Sequence, residues 1–171
     1  MKLYDYLDSG NGYKVRLTLA HLGLACEWTE CDILHGATRT PEFLARNPNG
    51  RIPLLELDDG TCLAESNAII WYLAEGSPLV PYERLARAQV LQWMFFEQYS
   101  HEPYVATPRY IVKHLPVGSP RRAELPDRLE RGRAAFTVME RHLTTRRFFV
   151  GERYTIADIS LYAYSHVAHE G

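Results

Sequence analysis

The chain is 171 residues long, 46% hydrophobic and 12% aromatic, with 19 basic against 21 acidic side chains and a formal charge of −2. So apolar a composition excludes a disordered segment, and the near balance of charge excludes a strongly basic nucleic-acid footprint. No apolar run approaches the roughly 18 residues a membrane span requires, and Met1-Lys2-Leu3-Tyr4-Asp5 leads into a strand pattern with no secretory leader.

The first half alternates strand and helix signals. Lys2–Tyr6 reads as a strand, and Ser9-Gly10-Asn11-Gly12 follows with turn chemistry. Tyr13–Leu22 alternates partly like a strand, but its length and the stop at Gly23 predict a helix. Trp28–Ile33 is a second strand candidate. Thr40-Pro41-Glu42 supplies a cap, a proline at the first helical position and an acid in the first turn, opening a short helix that ends before Asn47-Pro48. Ile52–Leu57 and Thr61–Ala64 flank Asp58-Asp59-Gly60 and predict a hairpin. Pro53 lies within the first of those strands, which places it at an edge or in a special geometry. Ser66 is expected to cap a helix over Asn67–Glu75. The predicted order is βαβαββα.

Residues 1–80 hold 6 basic and 11 acidic side chains, and 81–171 hold 13 and 10. The change coincides with Gly76-Ser77-Pro78-Leu79-Val80-Pro81, which reads as a linker. The expected domains are 1–76, α/β, and 84–171, all helical, joined by 77–83. In the second, Tyr82–Lys113 carries Leu85, Val90, Leu91, Met94 and Phe95, bent or ended by Pro103 and Pro108. Leu125, Leu129, Gly132, Phe136, Met139 and Leu143 recur at helical spacing. Thr155-Ile156-Ala157-Asp158 is a capping box opening a last helix with Leu161, Tyr164 and Val167.

Three clusters have chemical potential. Ser9-Gly10-Asn11-Gly12 stands before a helix amino terminus, whose free N–H groups and partial positive charge favour an anion; the same residues also serve as a plain cap and turn. Asn49-Gly50-Arg51-Ile52-Pro53 offers a candidate cis peptide that would leave the Ile52 backbone free to pair with an extended ligand, or an ordinary edge proline. Glu65-Ser66 at a strand-to-helix turn suits an amino-acid head group, the acid taking its ammonium and the serine its carboxylate, or capping alone. Cys26, Cys31 and Cys62 form no C-x-x-C pair, which sets aside a disulfide scaffold and fits a reducing, cytoplasmic setting. His166-x-x-His169 has helical spacing for a metal but lacks a third ligand, so no metal is expected.

Together, the strand order, Ser9, the runs Asn47-Pro48-Asn49-Gly50-Arg51-Ile52-Pro53 and Leu63-Ala64-Glu65-Ser66-Asn67-Ala68-Ile69, and the Thr155–Asp158 box resemble the cytosolic glutathione transferases, near the bacterial serine-type classes. The resemblance implies a thioredoxin-like domain binding glutathione, and a helical domain that completes a pocket for a hydrophobic electrophile and lacks the family's last helices. It also implies a homodimer, while the charge balance and the lack of a long apolar run point to no nucleic-acid or membrane partner. Ser9 matches the donor to the glutathione sulfur, with Asn11 as alternative or partner. Ile52 before Pro53 matches the backbone that meets the cysteinyl unit, and Glu65 and Ser66 match the γ-glutamyl site. Arg51, with Thr38 or Arg39, falls near the glycyl carboxylate. Phe96, Tyr99, His101, Tyr104 and Tyr110 are available to the electrophile. A free thiol titrates at about 8.5, and one charge-assisted hydrogen bond plus the helix terminus supplies on the order of 2–3 kcal/mol, or up to two pKa units. Conjugation, glutathione-dependent disulfide reduction and a non-catalytic binding role all remain open at this point.

Overall fold

The computed structural model describes residues 1–171, which separate into two compact units, Met1–Ser77 and Pro78–Gly171. In the first, β1 (Lys2–Asp5) leads to α1 (Gly10–Leu22), β2 (Glu27–Glu30), α2 (Pro41–Arg46), β3 (Leu54–Glu56), β4 (Cys62–Ala64) and α3 (Ser66–Ala74). The sheet order is β2-β1-β3-β4. β1 and β2 run parallel with Leu3 opposite Trp28; β3 pairs antiparallel to β1, Leu55 opposite Leu3, and to β4, Leu55 opposite Leu63. The βαβαββα order and the hairpin therefore stand as read. Leu3, Val15, Leu54, Leu55, Ile69 and Ile70 are buried.

Local chemistry sets the boundaries. Thr40 accepts from the Phe43 N–H with Pro41 at the first helical position, and Gly23 closes α1 at φ 64°. α1 starts at Gly10, three residues before the expected start at Tyr13, with Ser9 as its cap. Gly12 lies within α1, and its lack of a side chain lets the helix pass close over β1: a Cβ there would lie 1.6 Å from Asp5 Oδ1. The second strand stops at Glu30, since Asp32 accepts from the Leu34 and His35 N–H groups and turns the chain into the first of two 3₁₀ turns, Ile33–His35 and Ala37–Arg39. Pro53 precedes β3 and does not sit within it.

The second unit is helical: α4 (Arg84–Phe96), a π-helical turn (Glu97–His101), α5 (Glu102–His114), α6 (Leu125–Leu143) and α7 (Ile156–Ser165). The buried stripe of α4 is Val90, Trp93 and Met94, continuing in Glu97 and His101, both 0% exposed. Leu85 and Phe95, although apolar, are each 71% exposed. On α6 the buried residues are Gly132, Ala135 and Met139, while Leu143 faces solvent. The capping box forms as read: Asp158 Oδ2 accepts from the Thr155 N–H at 2.8 Å and its hydroxyl at 3.0 Å, and Oδ1 accepts from the Phe149 N–H at 3.0 Å. No helix is long and apolar enough to cross a membrane.

Candidate functional site

The first turns of α1 and α3 meet in the first unit. Ser9 adopts extended backbone geometry and its Oγ accepts from the Gly12 N–H at 3.1 Å, which satisfies one of the free amides of α1. Capping uses an oxygen lone pair, so the serine proton remains to be donated. Asn11 lies at the second helical position, where its carboxamide reaches α3: Ser66 Oγ donates to Asn11 Oδ1 at 3.1 Å.

Ser66 is the first residue of α3 and not its cap, correcting the expectation from sequence. The cap position belongs to Glu65, at φ 68° the one non-glycine residue with positive φ, and its side chain makes no capping bond. That backbone conformation disfavours a side-chain-bearing residue, and such positions collect at ligand sites. It leaves the Glu65 carboxylate exposed at the turn while Ser66 is buried beside α1. With its one proton committed to Asn11, what Ser66 can offer an anion is its backbone N–H at the start of a helix.

The Ile52–Pro53 peptide is cis, as the second cluster suggested. Neither the N–H nor the C=O of Ile52 has a hydrogen-bond partner within the chain, because β3 pairing begins at Leu54. Buried Asn47 shapes the approach to this step: its Nδ2 donates to the Arg51 carbonyl at 2.8 Å and its Oδ1 accepts from the Asn49 N–H at 3.1 Å. Thr38 and Arg39 belong to the same neighbourhood. A Cβ at Gly50, which holds φ 60°, would lie 2.4 Å from Arg39 Nη1 and 3.0 Å from the Thr38 carbonyl. Arg39 also donates to the Asn49 carbonyl at 3.4 Å. Arg51 and Arg39 are both exposed there, which gives this loop a cationic rim.

Sequence reading passed over Lys14. It is 0% exposed, and its Nζ donates to Ser66 Oγ at 3.4 Å. The signal was available: Gly10, Lys14 and Thr18 fall four apart, so the lysine occupies the buried stripe of α1. The cysteines gain nothing from the fold, since burial pushes the thiols of Cys26, Cys31 and Cys62 up and disfavours their thiolates.

The five candidate residues of the second unit do not converge. Phe96 and Tyr99, the latter 84% exposed, line an open recess of about 580 Å³ with Phe95 and Gln92. Tyr104 lines a separate groove with Leu129, Gly132 and Phe136. His101 is enclosed, its Nε2 3.0 Å from Ser165 Oγ and its ring edge-on to Phe136. Tyr110 packs against His114. His166 stacks on Tyr162.

Known proteins share the sequence pattern and fold of this chain. Residues 1–75 match the glutathione S-transferase N-terminal domain, and residues 122–166 match the glutathione S-transferase C-terminal domain. A crystal structure of a glutathione S-transferase from Pseudomonas fluorescens is 55% identical, with a TM-score of 0.96 over 99% of this chain and 84% of that one. A glutathione transferase family member from the same organism, solved with two glutathione bound, is 31% identical, with a TM-score of 0.84 over 98% and 76%. Elongation factor 1-gamma of Artemia salina is 30% identical over 99% of this chain, which spans 40% of that protein's length. With both halves matched and the whole chain superimposing on a solved transferase, this chain belongs to the glutathione S-transferase family.

Proposed function

We propose that the chain is a glutathione transferase: it binds glutathione along the first unit and holds the sulfur as a thiolate at the amino terminus of α1, for attack on a hydrophobic electrophile. The observation that carries this reading is the meeting of Ser9 and Asn11, in the first turn of α1, with Ser66 at the start of α3. Two side-chain donors and the helix terminus there favour an anion. The unpaired Ile52 backbone suits the cysteinyl unit, the Glu65 carboxylate the γ-glutamyl ammonium, the Ser66 N–H its carboxylate, and Arg51 with Thr38 and Arg39 the glycyl carboxylate. Ser9 stabilises the thiolate and does not itself attack. The thiol proton passes to solvent, the sulfur lone pair forms the new C–S bond, and the leaving group departs with its bonding electrons. A homodimer and a cytoplasmic setting belong to the same reading.

A second reading is glutathione-dependent disulfide reduction, supported by Asn11 in the first turn and by the relative solved with two glutathione bound. One glutathione thiolate would open the disulfide, and a second would resolve the mixed disulfide, releasing two thiols and oxidised glutathione. Turnover of a chloronitroarene against turnover of hydroxyethyl disulfide separates the two readings. Retention on immobilised glutathione without either turnover would leave a binding protein only, and absence of retention would remove the whole proposal.

A further inference from the structure

A buried lysine is the least expected member of the α1–α3 junction. Lys14 is wholly enclosed, one turn along α1 from Asn11 and Gly10, and does not reach the surface where a ligand would lie. Its Nζ approaches Ser66 Oγ at 3.4 Å, and Ser66 Oγ in turn approaches Asn11 Oδ1 at 3.1 Å. An ammonium group only donates, so the serine oxygen accepts from Lys14. The serine has one proton, which goes to Asn11, and only the carboxamide oxygen can receive it. With both bonds made in this sense, the donors run from Lys14 through Ser66 to Asn11. That order fixes which end of the Asn11 amide faces α3 and turns the Nδ2 donor away from Ser66.

We infer that Lys14 is a positioning residue that orients the Asn11 carboxamide, through Ser66, as a donor to the glutathione thiolate. This rests on the proposed glutathione site and adds to it a residue that touches no substrate. Without Lys14, Ser66 loses its donor and the amide is free to turn its oxygen toward the sulfur, where two acceptors would repel. Polarisation along the chain acts in the same sense, since a cation at its head strengthens each following donor.

The test titrates the thiol of bound glutathione by thiolate absorbance at saturating ligand, in the full chain and in Lys14→Met, Asn11→Ala and the double variant. Calorimetry first establishes that the unaltered chain takes up glutathione; no uptake there defeats the proposed function itself, whatever Lys14 does. Given uptake, Lys14→Met and Asn11→Ala should each raise the bound thiol pKa by about one unit, roughly a tenfold loss of thiolate below that pKa. The double variant should shift it no further than the larger single change, because the lysine acts through the asparagine. An unchanged pKa in Lys14→Met or Asn11→Ala, or additive shifts in the double, overturns the inference and leaves the glutathione site standing. If Lys14→Met lacks native circular dichroism, the same cycle with Ser66→Ala in its place must show the same non-additivity, and additive shifts there count against the relay.

Discussion

Asp5 Oδ1 sits 1.6 Å from the point where a Cβ on Gly12 would lie. The end of β1 and the first turn of α1 are thus as close as a glycine allows, and that approach sets where the Ser9 and Asn11 side chains stand. Alanine in a helix interior normally gains about 0.5–1 kcal/mol over glycine. At this site Gly12→Ala should instead cost about 1–3 kcal/mol, since Asp5 is short, buried and held in an ion pair by Arg16. Urea unfolding measures it, and a Gly12→Ala chain as stable as the parent would show that Asp5 yields.

The same carboxylate gives folding a pH dependence. Burial pushes the Asp5 carboxyl up from 3.8 to about 6, with the neighbouring Arg16 guanidinium pulling it back only in part. Between about pH 4 and pH 6 the folded chain keeps a proton that the unfolded chain has released. The Asp5 contribution to stability therefore falls as pH rises through that window and is constant above it, the total drop being about 2–3 kcal/mol. Asp5→Asn carries no titrating group, so the stability difference between it and the parent should change across the window in that sense. A difference that stays flat from pH 4 to 7 would contradict the raised carboxyl.

In the helical unit, Asp158 holds the Thr155 N–H, the Thr155 hydroxyl and the Phe149 N–H at once, all buried. Asp158→Ala leaves three donors without their acceptor, so a loss of about 3 kcal/mol or more is expected. Thr155→Ala removes only the cap to the Ala157 N–H and one bond to Asp158, and should cost closer to 1 kcal/mol. Denaturant midpoints of the two variants should keep that order, and a reversal would mean that the box is dominated by its threonine.

Features resting on neighbouring residues were legible in the sequence: the Thr40 and Thr155 caps, the Gly23 stop, the hairpin about Asp58-Asp59-Gly60 and the cis step at Pro53. Features that depend on a distant partner were not. Gly12 looks like a turn residue until Asp5 is brought against the helix. Ser66 looks like a cap because its true partners, Asn11 and Lys14, are more than fifty residues away. On α4, apolar Leu85 and Phe95 point outward, while Glu97 and His101 of the following π-helical turn fill the interior; Ser160 Oγ, 3.3 Å from Glu97, and Ser165 Oγ, 3.0 Å from His101, supply polar partners from α7. No hydropathy pattern along one helix announces partners carried by another.

Ser9 and Asn11 can be told apart by the thiol they are proposed to hold. Ser9 caps α1 as well as facing the site, so Ser9→Ala should lower stability by about 1 kcal/mol, whereas Asn11→Ala removes no cap. Each donor lost should raise the pKa of bound glutathione, because the thiolate loses a partner that its protonated form does not need. Where thiolate formation limits the rate, the pH of half-maximal turnover should move upward by the same amount, with little change at high pH where the thiol is ionised anyway. A serine-dominated site predicts the larger upward move in Ser9→Ala, and an asparagine-dominated site predicts it in Asn11→Ala. If both variants keep the parent profile, neither side chain donates to the sulfur, and the helix terminus alone must account for whatever thiolate is bound.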